Sequence, residues 1–88
     1  MKRFSNLVAW HVYHTTDRGS DTEWFCVPMS EAVVVRASQM AEPGFRYVSQ
    51  PEVVGVWWVR RMVSREWTPA QLARFTGLPE TTVRRWAR

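Results

Sequence analysis

Apolar residues fall in short clusters along the chain, parted by segments rich in turn formers, and the pattern inside each cluster sets the element expected there. The first cluster, Asn6–His14 (NLVAWHVYH), is rich in Val, Trp and Tyr and has the length of a strand rather than a helix. Thr15–Asp21 (TTDRGSD) reads as a turn. Thr22–Val27 (TEWFCV) reads as a second strand, so residues 6–27 are expected to form a β-hairpin. Its loop is longer than the tightest type and leaves the register open. Pro28 ends the second strand. Ser30 is then a candidate helix cap with Glu31 in the first turn, and Ala32–Ala41 places Val33, Ala37, Met40 and Ala41 on one helical face. The run Val33-Val34-Val35 acts against that helix, because β-branched residues have low helix propensity. Pro43-Gly44 stops it, and Phe45–Ser49 (FRYVS) is compatible with a short third strand.

Past residue 49 the period becomes helical. Pro51 suits a first helical position and Glu52 follows it well. Trp58, Val59, Met62 and Val63 form one face, with Arg60, Arg61, Ser64 and Arg65 opposite. The stretch VVGVW before them is apolar all round and β-prone, so a strand is the alternative there; the helical period that follows favours helix. Thr68-Pro69-Ala70-Gln71 marks a new helix start in three ways. Thr68 caps, Pro69 fills the position where a missing N–H costs nothing, and Gln71 completes a capping box. Trp67 can pack on Leu72 as a hydrophobic staple. This helix is expected to run to about Thr76. Gly77 supplies the positive φ of a tight turn. Pro79 starts another helix, with Glu80 at its positive end, and that helix runs to the last residue of the sequence.

Charge sharpens the picture. The formal net charge is +4, but residues 1–44 sum to −1 and residues 45–88 to +5, and eleven of the twelve basic residues are Arg. Arginine is the side chain suited to bidentate phosphate and base contacts, so a basic half points to a polyanionic partner. A composition of 45% hydrophobic and 23% charged residues is that of a globular chain rather than a disordered one. One cysteine, Cys26, gives no internal disulfide framework and suits a reducing compartment. No apolar run reaches ~18 residues and Met1-Lys2-Arg3 does not lead into an uninterrupted apolar stretch, so neither a membrane span nor a signal peptide is expected. The expected location is cytoplasmic, associated with the nucleoid.

Pro69–Arg88 resembles the helix-turn-helix of phage, plasmid and bacterial regulators and recombinases. Ala73 stands where two helices cross closely, Gly77 four residues later in the turn, and Leu78 after it as an apolar plug. Val83 and Trp86 face Leu72 and Phe75. The resemblance implies that the second helix enters the major groove of duplex DNA. Glu80, Thr81, Arg84 and Arg85 are then its base-contacting residues. Arg84 is the first choice for a bidentate contact to guanine, Thr81 can touch phosphate or a thymine methyl, and Glu80 is either an acceptor from cytosine or only a helix-start residue. Thr82, Arg88 and Gln71 become candidates for the DNA backbone, as does Arg85 in a second role, and Arg60 and Arg61 flank it or form a solvated face. Many regulators carry this motif near the N-terminus; here it occupies the last 20 residues.

The whole reads as α+β: an N-terminal hairpin and helix with a third strand as an option, then a three-helix C-terminal helix-turn-helix unit. The division expected is 1–49 for dimerisation or partner binding and 50–88 for DNA, within one compact domain. The function this implies is sequence-specific binding of double-stranded DNA by a small transcriptional repressor, homodimeric on an inverted repeat and derived from a mobile element. The alternatives are an architectural accessory of excisionase or partition type, and a protein-interaction module that uses residues 1–49. Trp57, Trp58, Trp67 and Trp86 are expected in the core; Trp10, Trp24 and Phe25 are candidates for exposure. RNA binding is less expected, since no exposed aromatic platform is evident. His11 and His14 fall on opposite faces of a strand and make a poor metal pair. Cys26 lacks a His or acidic companion and reads as a small buried hydrophobe. Neither a phosphate loop, nor a nucleophile elbow, nor paired carboxylates occur, so no enzyme, cofactor or metal is expected.

Overall fold

The structure, a computed structural model, describes residues 3–44 and 47–88, the Thr16 side chain excepted. Strands β1 (Phe4–Thr16) and β2 (Gly19–Pro28) lead into helix α1 (Met29–Ala41). Two short strands follow, β3 (Tyr47–Val48) and β4 (Glu52–Gly55), and then helices α2 (Val56–Ser64), α3 (Pro69–Thr76) and α4 (Glu80–Trp86). The fold is α+β, with one four-stranded sheet in which β1 lies between β2 and β3 and also pairs with β4. The chain forms two units, one of Met1–Leu7 with Val53–Arg88, the other of Val8–Glu52. The beginning of β1 thus belongs with the helical end of the chain, a grouping set by strand pairing that a linear division at residue 49 does not contain.

In the unit Val8–Glu52 the hairpin is tighter than its sequence suggests. The strands extend through most of Thr15–Asp21, leaving Asp17-Arg18 as the loop and Gly19 at φ 128° to re-enter the ladder. β3 runs antiparallel to β1 in the register Val12↔Val48 and Tyr13↔Tyr47. Of the expected third strand, Phe45 and Arg46 lie outside the described residues. Buried Ser49 extends the pairing past β3: its N–H donates to His11 O at 2.9 Å and its Oγ accepts from His11 N at 2.9 Å. Val8, Trp10, Val12 and Ala32 form the core, with Phe25, Val27, Val35 and Val48 packed on it. Trp10 is therefore buried, and Trp24 and Phe25 are half-buried rather than exposed.

Helix α1 departs from its sequence pattern in two ways. Pro28 is its N-cap with no side-chain bond, so Ser30 does not cap but sits inside the first turn. The apolar stripe Val33, Ala37, Met40 and Ala41 faces solvent, with Val33 79% exposed. Ala32, Val35, Arg36 and Gln39 face inward instead. The reason is polar: the indole N–H of buried Trp10 needs an acceptor, and Gln39 Oε1 provides it at 2.7 Å. Arg36 lies 5.3 Å from the Trp10 ring centroid and donates from Nη1 to Ser49 O at 2.6 Å.

Pro51, at the end of the unit Val8–Glu52, does not open a helix. The β-prone stretch that follows forms β4, and α2 starts only at Val56. Val56 N donates to Arg3 O at 2.8 Å and Ser5 Oγ donates to Val54 O at 2.8 Å. A Cβ on Gly55 would stand 2.7 Å from Arg3 O and 2.9 Å from the Phe4 backbone, so only glycine allows this approach. Val54, Val59, Met62, Leu72, Val83, Trp58 and Trp86 are buried in the unit Met1–Leu7 with Val53–Arg88. Phe75 stacks on Trp58 at 6.2 Å and tilts against half-buried Trp67 at 6.1 Å. Trp57 is 74% exposed and is not a core residue. The sequence placed it in a helix interior, but it stands in the first turn of α2, off the buried stripe Trp58, Val59 and Met62.

Candidate functional site

The last two helices are fixed by local chemistry. Thr68 Oγ1 accepts from Gln71 N at 3.1 Å, and Gln71 Oε1 accepts from Thr68 N at 2.9 Å, the full capping box of α3. Pro69 holds the first helical position. At the far end Gly77 adopts φ 78° and its N–H donates to Ala73 O at 2.8 Å. Thr76 Oγ1 donates to Leu72 O at 2.7 Å and accepts from Leu78 N at 3.2 Å, which tightens the turn. Pro79 is the N-cap of α4 rather than its first residue, and its carbonyl accepts from Thr82 N and Val83 N.

Packing then decides which face of α4 meets solvent. Val83 and Trp86 are buried, locking one side against α2 and α3. Glu80, Thr81, Arg84 and Arg85 are exposed and at 100° per residue share one face of α4; the helix ends at Trp86, short of the last residue, and exposed Arg88 follows its C-cap Ala87. Thr82 is half-buried at the border of that face, and Gln71 is exposed on α3. Arg84 Nε lies 3.4 Å from Glu80 Oε2, an exposed i,i+4 pair of the kind worth about 0.3–0.5 kcal/mol. Arg84 is thus held loosely and can exchange Glu80 for a stronger acceptor.

Not every candidate joins this face. Arg60 Nε donates to Trp86 O at 3.2 Å, capping the end of α4, and its guanidinium lies 5.5 Å from the Trp57 ring centroid. Arg60 therefore has a positioning role whatever else it contacts. Arg61 is exposed on α2. Arg74, exposed in the last turn of α3, adds a cation that the sequence pattern did not single out.

Charge separates more sharply by unit than by sequence half. The unit Met1–Leu7 with Val53–Arg88 holds nine Lys and Arg against Glu66 and Glu80, net +7; the unit Val8–Glu52 holds three Arg against six acids, net −3. Arg3 changes sides because its carbonyl accepts from Val56 N beside the helices.

The remaining candidates each have their own neighbours. His14 Nε2 lies 3.6 Å from Asp21, while His11 packs on Trp24 and Tyr47. No metal-binding group of three or more His, Cys, Asp or Glu occurs among the described residues. Half-buried Cys26 has its thiol pKa pushed up to about 11 by desolvation, the opposite of an activated nucleophile. Among the described residues, no helix is long and apolar enough to cross a membrane. Comparison with protein-family models, curated proteins and solved structures returns no match.

Sequence patterning missed a second feature. Phe4, Val53, Val56, Trp57 and Trp58 line an open groove with Arg3 and Gly55, in the same unit. The β-prone stretch VVGVW was its one sequence signal, because it announced a strand that would bring Phe4 beside it.

Proposed function

We propose that this protein binds double-stranded DNA in a sequence-dependent manner through α4, as a small transcriptional repressor. The observation that carries the proposal is the division of α4. Val83 and Trp86 anchor one face, and the opposite face presents Glu80, Thr81, Arg84 and Arg85, with Arg88 exposed just past the helix end, on a unit of net charge +7. Such a face suits the major groove, where arginine pairs with guanine O6 and N7. Arg84 and Thr81 are assigned to bases, with Arg85 beside them. Arg88, Gln71 and Thr82 are assigned to phosphates. Three or four base contacts specify a short half-site, which favours a homodimer on an inverted repeat with half-sites about one helical turn apart.

The test is selection from random duplex DNA followed by salt-titrated binding of wild type and Arg84→Ala. Enrichment of a defined site, with Arg84→Ala losing about 1–3 kcal/mol and relaxing one base position, supports the proposal. Binding that ignores sequence and Arg84 sinks it. Glu80→Gln separates two roles: a rise in affinity for all sequences marks Glu80 as only a helix-start residue. Loss at one cytosine marks a base contact.

A second reading is a protein-interaction module. It is favoured by the solvent-facing stripe of α1, where Val33 and Val34 are more than 70% exposed. A partner captured through that stripe without any selected DNA site would establish it.

A further inference from the structure

Two large aromatic side chains of the basic unit stand in water side by side with cations. Trp57 and Phe4 (66% exposed) line the groove formed with Val53, Val56 and Trp58, whose volume is about 580 Å3. That volume falls in the range of sites for small planar ligands. Arg3 lines the same groove, and the Arg60 guanidinium lies 5.5 Å from the Trp57 ring centroid. The bond from Arg60 to Trp86 uses Nε–H.

The chemistry of this groove narrows its occupant. An aliphatic helix is matched by apolar walls and has no use for guanidinium groups, and an acyl chain with an anionic head would use them but gains nothing from flat aromatic faces. Flat aromatic faces beside arginines match a ligand that is planar and apolar on its faces and anionic at its rim. A nucleotide has that form, since every base has a π face and is followed by a phosphate. Within a duplex, base faces are covered by their neighbours, so the groove suits a strand whose bases are unpaired.

We propose that this groove binds an unpaired base of single-stranded nucleic acid, stacked on Trp57 and Phe4, with the adjoining phosphate held by Arg3 and Arg60. It rests on the reading that the basic unit meets nucleic acid, but not on α4 selecting a duplex sequence. Trp57, exposed where the sequence placed it in the core, is the aromatic platform that this proposal requires.

The experiment compares two labelled strands of equal length by fluorescence anisotropy, one oligodeoxythymidine and one abasic. The proteins are wild type, Trp57→Ala, Trp57→Phe, Phe4→Leu and Arg84→Ala, each checked for folding by circular dichroism. Wild type is expected to prefer the thymidine strand. Trp57→Ala should lose about tenfold on that strand and little on the abasic one, and Trp57→Phe should retain most of the affinity. Arg84→Ala should keep the ratio of thymidine to abasic affinity, whatever it does to duplex selection or to overall electrostatic attraction. Equal binding of both strands by wild type overturns the proposal without recourse to any variant. So does binding indifferent to both Trp57→Ala and Phe4→Leu. A Trp57→Ala effect confined to self-association would overturn it in favour of an interface between copies. Duplex selection that fails while thymidine preference holds removes the role of α4 and leaves the groove; the converse removes the groove and leaves α4.

Discussion

Gly55 and Cys26 show how single positions are constrained by what faces them. At Gly55 the constraint is space, because any Cβ would meet Arg3 O at 2.7 Å. Backbone cannot move aside as a flexible side chain can, so Gly55→Ala should cost about 1–3 kcal/mol in urea denaturation. A change smaller than a few tenths would show that the β1–β4 approach is not fixed as described. At Cys26 the constraint is desolvation. Its thiol keeps its proton to about pH 11 when folded, against an ordinary value of 9.0. The folded state binds the extra proton, so stability is unaffected at neutral pH and falls as pH rises from 9 towards 11. Cys26→Ser should flatten that alkaline loss in a series of thermal melts, and the wild-type thiol should react slowly with a thiol reagent at neutral pH.

At the scale of elements, α1 and α4 are both amphipathic and are used in opposite senses. In α4 the apolar positions Val83 and Trp86 go inward and the arginines outward, as hydrophobic burial demands. In α1 the apolar stripe goes outward, because Arg36 and Gln39 are held by Trp10 and Ser49. Substitutions on that stripe should therefore be cheap. Val33→Lys is expected to change stability by less than about 0.5 kcal/mol. If α1 is the dimer contact, the same change should weaken self-association in sedimentation equilibrium. A large loss of stability would mean that α1 packs inward after all.

For the whole molecule, the relevant quantity is the separation of charge, +7 on one unit against −3 on the other. Binding to a polyanion through the basic unit should weaken linearly in log salt as condensed counterions are released. Arg85→Ala and Arg88→Ala should each reduce the slope by about one, alike for all sequences if they contact phosphate. A slope unchanged by both would place the contact surface elsewhere.

What the sequence determined by itself was local. The capping box at Thr68 and Gln71, the left-handed Gly77 and the two faces of α4 depend on residues within about one helical turn of each other, and each was legible before any tertiary contact was known. So were the hairpin and the α+β class. Tertiary structure decided the features that join distant residues. The partnership of β1 with β4 turned an apolar, all-round segment into a strand and moved Arg3 into the basic unit. It set Trp57 and Phe4 beside one another across a groove, although 52 positions separate them in the sequence. It also turned α1 over, with Gln39 accepting from the buried Trp10 indole N–H and Val33 facing solvent. Periodicity measures hydrophobicity along one element, and it holds no information about which polar group on another element must be satisfied.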